Sequence, residues 1–388
     1  MSLVSEIPVA VIGGGVVGCA VAREISKSRK GVFLFERNPG ITEGENQSFR
    51  NSGVIHSGIY YDRETRPLKA DLCVEGNRLL YEFCDRYRVP ALRTGKIVVA
   101  ADTGEDDVLD IYLRRARENR VSGVEKIPGR RVRHLEPNVK AVSALLVPSA
   151  GIVDPVTLVY RLHALASRNG VHTLTGTEVT GLRPDGAAIR MEIRYRDGKT
   201  DRVRAERVIN AAGTDAARMA RLFNPRSPFE PDPVRGESYR FYGHGRPRLR
   251  MAGMNVYPTP TTVETPRGRH FTVGVHLTPT FGRLGESPDI GSTVIIGPKL
   301  VPAGERDPAA GPTVGPEVFV RAVRPFFPGL RKEDLRWHQA GVQARLGGHP
   351  DFVVAPDALH AGLIHLVGVD SPGLTAALAI ARRVDSLI

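Results

Sequence analysis

Gly13, Gly15 and Gly18 lie between an apolar run, Val9-Ala10-Val11-Ile12, and a stretch in which Val16, Ala20, Val21, Glu24 and Ile25 recur at helical spacing. A strand that runs into a glycine turn and then a helix has a definite chemical use. Gly13 permits the tight turn, Gly15 lets a pyrophosphate approach the backbone, and Gly18 lets the helix pack close to the sheet. The first helical residues, Val16 and Val17, then offer free N–H groups and the positive end of the helix dipole to phosphate. A second apolar run, Gly31 to Phe35, ends in Glu36, 18 residues after Gly18, with Arg37 beside it. An acid at that place accepts ribose hydroxyls. It suits FAD or NAD better than NADP, whose 2′-phosphate it would repel. A glycine-rich turn with no ligand leaves Glu36 unexplained.

Two further segments carry chemistry-bearing residues near small ones. Arg50, Asn51, Ser52, Gly53, Val54, Ile55, His56, Ser57, Gly58, Ile59, Tyr60 and Tyr61 follow a polar loop that begins at Pro39. Small residues there let backbone pass close to a flat ligand, although a histidine merely satisfied within its loop is an equal reading. Val208 to Gly213 reads as a strand ending in Ala211, Ala212 and Gly213, so that a cofactor can lie over its carboxyl edge. Near the C-terminus the strand–turn–helix logic recurs. Ile364 to Val369 is a strand containing Gly368, Asp370 to Thr375 is a tight turn, and Ala376 to Leu387 is a helix. Ser371, Pro372, Gly373, Leu374 and Thr375 thus form a second phosphate or ribityl contact.

The remaining elements must hold these groups in place. Spacing predicts helices over 69–88, 106–119 and 155–169, the last with Asp154 at its N-cap and Pro155 in its first turn. Strands are predicted over 95–100, 171–174 and 178–182, and a hairpin joins 189–196 to 202–208 through Asp197-Gly198. Residues 225–315 are rich in Pro and Gly, with β runs at Phe271–Leu277 and Thr293–Gly297. The expected fold class is α/β: a discontinuous Rossmann-like domain over 1–90, 145–225 and 340–388. Inserted in it is an α+β substrate domain over 91–144 and 226–339, built on an antiparallel sheet.

Composition narrows the function classes. Across 388 residues, 41% are hydrophobic and 25% charged, which excludes a disordered, collagenous or coiled-coil chain. No apolar run is long enough to span a membrane, and Met1 to Pro8 lacks a signal-like start, so a cytoplasmic location is expected. The net charge of +12 comes mostly from scattered arginines. It fits compositional bias, anion steering or docking on the inner face of an anionic membrane, with no nucleic-acid motif present. Cys19, Cys73 and Cys84 form no CxxC pair, and the 11 histidines form no HExxH cluster, so neither a disulfide framework nor a metal is expected.

On these residues the chain resembles the FAD-dependent D-amino-acid-oxidase superfamily, and within it the L-2-hydroxyglutarate dehydrogenase/oxidase group. The segments that carry the resemblance are Asn51 to Tyr61, Leu68 to Gly76, Gly151 to Asp154, Arg235 to Glu237, Gly274 to Thr278 and Ser371 to Ala381. The resemblance implies a bipartite flavoprotein with the pyrophosphate on the Gly13–Gly18 turn, the ADP ribose at Glu36 and the adenine near Val179. It places the isoalloxazine near Ser52, Gly53, His56 and the Gly368–Thr375 turn. It also exposes departures. Arg50 stands where the group has histidine, Gln343 stands where it has a carboxylate-clamping arginine, and Thr261–His270 and Arg283–Gly291 are longer than usual.

The implied reaction is oxidation of a small 2-hydroxy acid, L-2-hydroxyglutarate first among them, by hydride transfer to flavin N5. Such a step needs a base, for which a neutral histidine is suited. His56 is preferred and His276 is the second candidate. A carboxylate needs a cation. Arg345, two residues beyond Gln343 and so on the same face of an extended strand, is the first candidate and Arg235 the second. Lys69 suits a distal carboxylate or, equally, a solvated helix start, while Tyr61, Tyr239 and Tyr257 read first as packing residues and second as hydrogen-bond donors. Glycerol-3-phosphate or amino-acid oxidation, and a flavin-binding protein without catalysis, are the rival readings. Oxygen, a quinone or an electron-transfer protein serves as electron acceptor.

Overall fold

In the computed structural model, residues 5–265, 268–285, 287–303 and 311–388 are described. The chain divides into two compact units, one of residues 1–49, 155–233 and 342–388, the other of 50–154 and 234–341. The division differs from the sequence reading. Segments 50–90 and 145–154 cluster in the second unit, because a three-stranded sheet of Val54–Ile55, Gly151–Val153 and Ala91–Leu92 knits them together. The α/β class with Rossmann-like and sheet-based parts is the observed one.

The first unit is built on parallel strands. Ser5–Ile12 lies between Val32–Phe35 and Thr200–Asn210, with Ile12 facing both Phe35 and Asn210. His172–Leu174 extends the sheet beyond Val32–Phe35, and Leu363–Val367 pairs with the end of Thr200–Asn210. Ala10, Val11 and Leu34 are fully buried, as expected of parallel strands covered on both faces. One cover is helical: Val16–Ile25 packs against Pro155–Arg168 and Gly373–Asp385. The other is the antiparallel ribbon of Thr177–Asp185 and Ala188–Tyr195 with the helix Ala216–Phe223, which share a core with Ile7, Ala10 and Ile12. The strand expected to reach Gly213 ends at Asn210, and a 3-10 turn, Gly213–Asp215, leads into the next helix.

The second unit is an eight-stranded sheet in which every pair with a described register is antiparallel, except that Asn255–Pro258 runs parallel to Lys96–Ala100. One face, with Val98, Ala100, Leu145 and Val147, is covered by Asp106–Glu118 and by Ile59 and Tyr60. The opposite face, with Ile97, Val99, Val256 and Ile296, packs against Phe319, Val320 and Val323 of Pro316–Val323. The strand expected at Phe271–Leu277 is two pieces. Gly274 at φ +71 breaks it, so one strand ends at Thr272 and the next begins at His276. Thr261–Thr265 and Gly268–Thr272 form a separate hairpin, with part of the long 261–270 segment (266 and 267) outside the described residues. Among the described residues no helix is long and apolar enough to cross a membrane.

Candidate functional site

In the first unit the carboxyl ends of the parallel strands open into a cleft. Gly13, Gly15, Glu36, Arg37, Val179, Ala212 and Gly213 all line it. The glycines are needed sterically. A Cβ on Gly13 would lie 2.4 Å from the Ala211 carbonyl oxygen, and one on Gly18 would lie 1.8 Å from that of Gly13. Glu36 is buried, and its carboxylate organises the turn: Oε2 accepts the Gly14 amide at 2.6 Å and Oε1 accepts the Asn38 amide at 2.7 Å. Each oxygen keeps a second lone pair for a hydroxyl. Arg37 is ion-paired with Asp215 at 2.8 Å.

Residues not singled out from sequence complete the cleft. Ser48 Oγ accepts the Val16 amide at 2.9 Å, and Asn46 Nδ2 donates to the carbonyls of Gly14 and Ile41 at 3.2 Å. Both come from the polar loop after Pro39, whose polarity was visible but whose return to the glycine turn was not. The predicted second strand, turn and helix lie in the same unit. Gly368 has φ +71, Gly373 donates to the Asp370 carbonyl at 2.6 Å, and the helix Gly373–Asp385 begins there, with Leu374 and Thr375 in its first turn. A glycine turn and an acid around an open cleft fit the adenosine and pyrophosphate of a dinucleotide.

Arg50, Asn51, Ser52, Gly53, His56, Tyr61, Lys69, Arg235, Tyr257 and His276 belong to the second unit. Asn51 Oδ1 accepts the Gly53 amide at 2.8 Å, which sets the turn that Gly53 makes at φ +69. Two buried asparagines, silent in the sequence, hold the loop that follows. Asn77 Nδ2 donates to the carbonyls of His56 (2.8 Å) and Ser149 (2.9 Å), and Asn119 Nδ2 to those of Gly58 (2.8 Å) and Tyr61 (2.7 Å). Burial, with Lys96 and His276 adding to it, holds His56 well below the usual imidazole range. His276 donates through Nδ1 to the Gly274 carbonyl at 3.1 Å, which leaves Nε2 bare as an acceptor. Burial lowers its pKa to about 3. Its ring stacks on Tyr257, with centroids 3.9 Å apart and planes at 11°.

The cations fall differently from expectation. Arg235 is buried in an ion pair, with Nε 2.8 Å from Glu237 Oε1 and Nη2 donating to the Gly311 carbonyl at 2.9 Å, so its guanidinium is already engaged. The strand that carries Gln343 ends there. Arg345 lies beyond it, its amide bonded to the Gln343 carbonyl at 2.9 Å, so the same-face argument for Arg345 fails. Lys69 is buried in the first turn of Pro67–Tyr87, and Tyr61 packs with Ala70 and Cys73 of that helix. Tyr239 belongs to the opposite face of the sheet from Tyr257, in the core, and donates to the Val314 carbonyl at 3.0 Å. The residue missed on this face is Lys96, which read as part of an ordinary strand and is fully buried.

The family described as FAD dependent oxidoreductase matches residues 8–387. The mitochondrial L-2-hydroxyglutarate dehydrogenase of Arabidopsis thaliana is 31% identical over 409 residues, covering 96% of this chain and 82% of its own. The L-2-hydroxyglutarate dehydrogenase of Indibacter alkaliphilus is 27% identical over 407 residues, with 98% of each covered. Among solved structures, FAD-bound L-alpha-glycerophosphate oxidase from Mycoplasma pneumoniae aligns with a TM-score of 0.83 and 25% identity over 99% of this chain and 94% of that one. Glycine oxidase from Geobacillus kaustophilus aligns with a TM-score of 0.79 and 19% identity over 99% and 94%.

Proposed function

The chain belongs to the FAD dependent oxidoreductase family, and from that premise we propose that it oxidises a small 2-hydroxy acid, L-2-hydroxyglutarate, to the 2-oxo acid. The observation that carries the reading is the match of residues 8–387 to the FAD dependent oxidoreductase family, together with a histidine, His276, whose Nδ1 is tied to the Gly274 carbonyl at 3.1 Å so that Nε2 is the proton acceptor. An alcohol must surrender its hydroxyl proton as its α-hydrogen leaves, which an amine already free of its extra proton need not do. The relatives named L-2-hydroxyglutarate dehydrogenase, matched over nearly the whole chain, support the substrate.

Bound FAD supplies the hydride acceptor, N5 of its ring. In this reading the Gly13–Gly18 turn with Val16 and Val17, together with Gly368 and the Ser371–Thr375 turn, binds its phosphates and ribityl chain. Glu36 and Arg37 hold the ribose, Val179, Ala212 and Gly213 the adenosine, and Arg50, Asn51, Ser52 and Gly53 the ring. His56 takes the hydroxyl proton, with His276 as its partner acceptor through Nε2. Lys69 takes a carboxylate of the substrate, and Tyr61 and Tyr257 donate to its oxygens. Turnover needs an electron acceptor, which assays with oxygen, a quinone and an electron-transfer protein separate. Docking of the basic surface on the inner face of a membrane is tested by liposome flotation at low salt.

The test is the visible spectrum of the purified holoprotein under anaerobic conditions. L-2-hydroxyglutarate bleaches the oxidised flavin band if the reading is right, and the D-enantiomer does not. A band that stays unchanged overturns the substrate. The alignment with L-alpha-glycerophosphate oxidase favours glycerol-3-phosphate as a second reading, and bleaching by it alone selects that one.

A further inference from the structure

The register of the large sheet in the second unit separates its two faces. Tyr239 and Phe241 pair with Ile296 and Val294, and Leu277 pairs with Ile296; all five belong to the core that packs against Pro316–Val323. The residues that alternate with them point the other way. Arg240 pairs with Ile295, Ile295 pairs with Thr278, and His276 lies two residues before Thr278 on the same strand. Arg240 and His276 therefore share one face with Tyr257, whose ring stacks on His276. Arg240 is half-buried, and among the described residues it makes no hydrogen bond and no ion pair. Its Nε is enclosed without an acceptor, which is true of no other described arginine in this unit.

A partly enclosed guanidinium normally has an anion against it, because it stays charged at any working pH and its lost hydration needs an acceptor in exchange. Its neighbours across the register, Ile295, Thr278 and His276, include no acid. Arg235, earlier on the same strand, already has Glu237. The spacing of the face decides which anion fits. At about 4.8 Å between strands and about 3.3 Å per residue, the Cα atoms of Arg240 and His276 are roughly 12 Å apart. Side chains stand nearly perpendicular to a sheet, so the guanidinium and His276 Nε2 keep about that separation. A hydrogen bond of about 3 Å at each end leaves roughly 6 Å for a molecule held between them. That is the span from the 2-hydroxyl of a five-carbon 2-hydroxy diacid to its far carboxylate, whereas the carboxylate beside the hydroxyl is too close to it. We propose that Arg240 binds the far carboxylate of the substrate through the parallel hydrogen bonds of its fork, and so selects a diacid over a 2-hydroxy monoacid.

The 2-hydroxy acid in this assignment rests on the function proposed above, but the anion site is measurable without turnover. Glutarate has both carboxylates and no hydroxyl to oxidise, and valerate has a methyl group in place of one carboxylate. Each is titrated into the FAD-loaded protein by calorimetry. The parent protein binds glutarate at least about tenfold more tightly than valerate. Arg240→Met raises the Kd for glutarate to that of valerate and moves the Kd for valerate by less than about twofold, while Arg240→Lys, which keeps the charge without the fork, falls between. Binding of glutarate that depends on Arg240, in a protein whose flavin no 2-hydroxy acid reduces, sinks the proposed reaction and keeps the site. A folded, flavin-loaded Arg240→Met protein that binds glutarate as the parent does overturns the inference, and so does a parent protein that does not prefer glutarate to valerate. Should Arg240→Met fail to load flavin, the parent protein decides. Phenylglyoxal labelling, read by peptide mass spectrometry, must spare Arg240 when glutarate is present, and labelling that glutarate leaves unchanged overturns the inference.

Discussion

The Glu36 carboxylate reaches back 22 residues to accept the Gly14 amide at 2.6 Å, so the acid at the end of the second strand also sets the glycine turn after the first. Its other oxygen takes the Asn38 amide. Glu36→Ala leaves two backbone donors without their acceptor, each worth about 1–3 kcal/mol when buried. The expected result is at least a tenfold rise in the Kd for FAD, read by flavin fluorescence on reconstitution of the apoprotein. An unchanged Kd would place the nucleotide elsewhere.

His56→Ala should retain FAD and slow flavin reduction by about 10²–10⁴-fold, the usual contribution of a positioned base. Stopped-flow reduction under anaerobic conditions measures it. A variant as fast as the parent would point to a substrate that deprotonates in solution, as an amine does.

Lys96 imposes a cost on folding whose pH dependence has a definite sign. Its pKa falls from 10.5 to about 7 on folding. Between those values the unfolded chain holds a proton that the folded protein has released, so stability rises with pH across that window. Below pH 7 the full cost remains, on the order of a few kcal/mol. Lys96→Met, close in volume, should therefore raise Tm at pH 6–7, with the gain shrinking towards pH 10. A Tm difference that is flat over that range would mean that Lys96 is not desolvated.

Arg235→Met should act on stability and not on substrate. It strands the Glu237 carboxylate, which is fully buried and also accepts from Thr313 and Val314. Breaking a buried pair from one side costs about 3–5 kcal/mol. Urea denaturation should show that loss, while KM in the folded fraction stays within about twofold. A large rise in KM would return Arg235 to the substrate.

The features that could be read from sequence are those set within a few tens of residues. Gly13, Gly15, Gly18 and Glu36 announce a turn and its acid because strand, helix and strand follow one another without interruption. The cation placement was not legible. Lys96 inside Gly-Lys-Ile-Val-Val-Ala reads as a strand residue of unknown face, and only its register against Asn255, 159 positions away, puts it inside. The placement of Arg345 on the face of Gln343 does not hold because nothing local marks the end of a strand at Gln343. Asn77 and Asn119 were invisible for the same reason as Lys96: their partners are carbonyls of a distant loop.

The strand order also has a consequence for biosynthesis. Ser5–Ile12 can pair with Val32–Phe35 as soon as the first helix between them has formed, but its other neighbour is Thr200–Asn210. At ordinary elongation rates of about 5–20 residues per second, the bare edge waits roughly 10–40 s for that partner to be synthesised. During that interval a row of unpaired amides and carbonyls, along a strand whose second half, Val9 to Ile12, is wholly apolar, is exposed to other nascent chains. The ribosome-bound intermediate, more than the finished enzyme, is thus the species with most need of a chaperone.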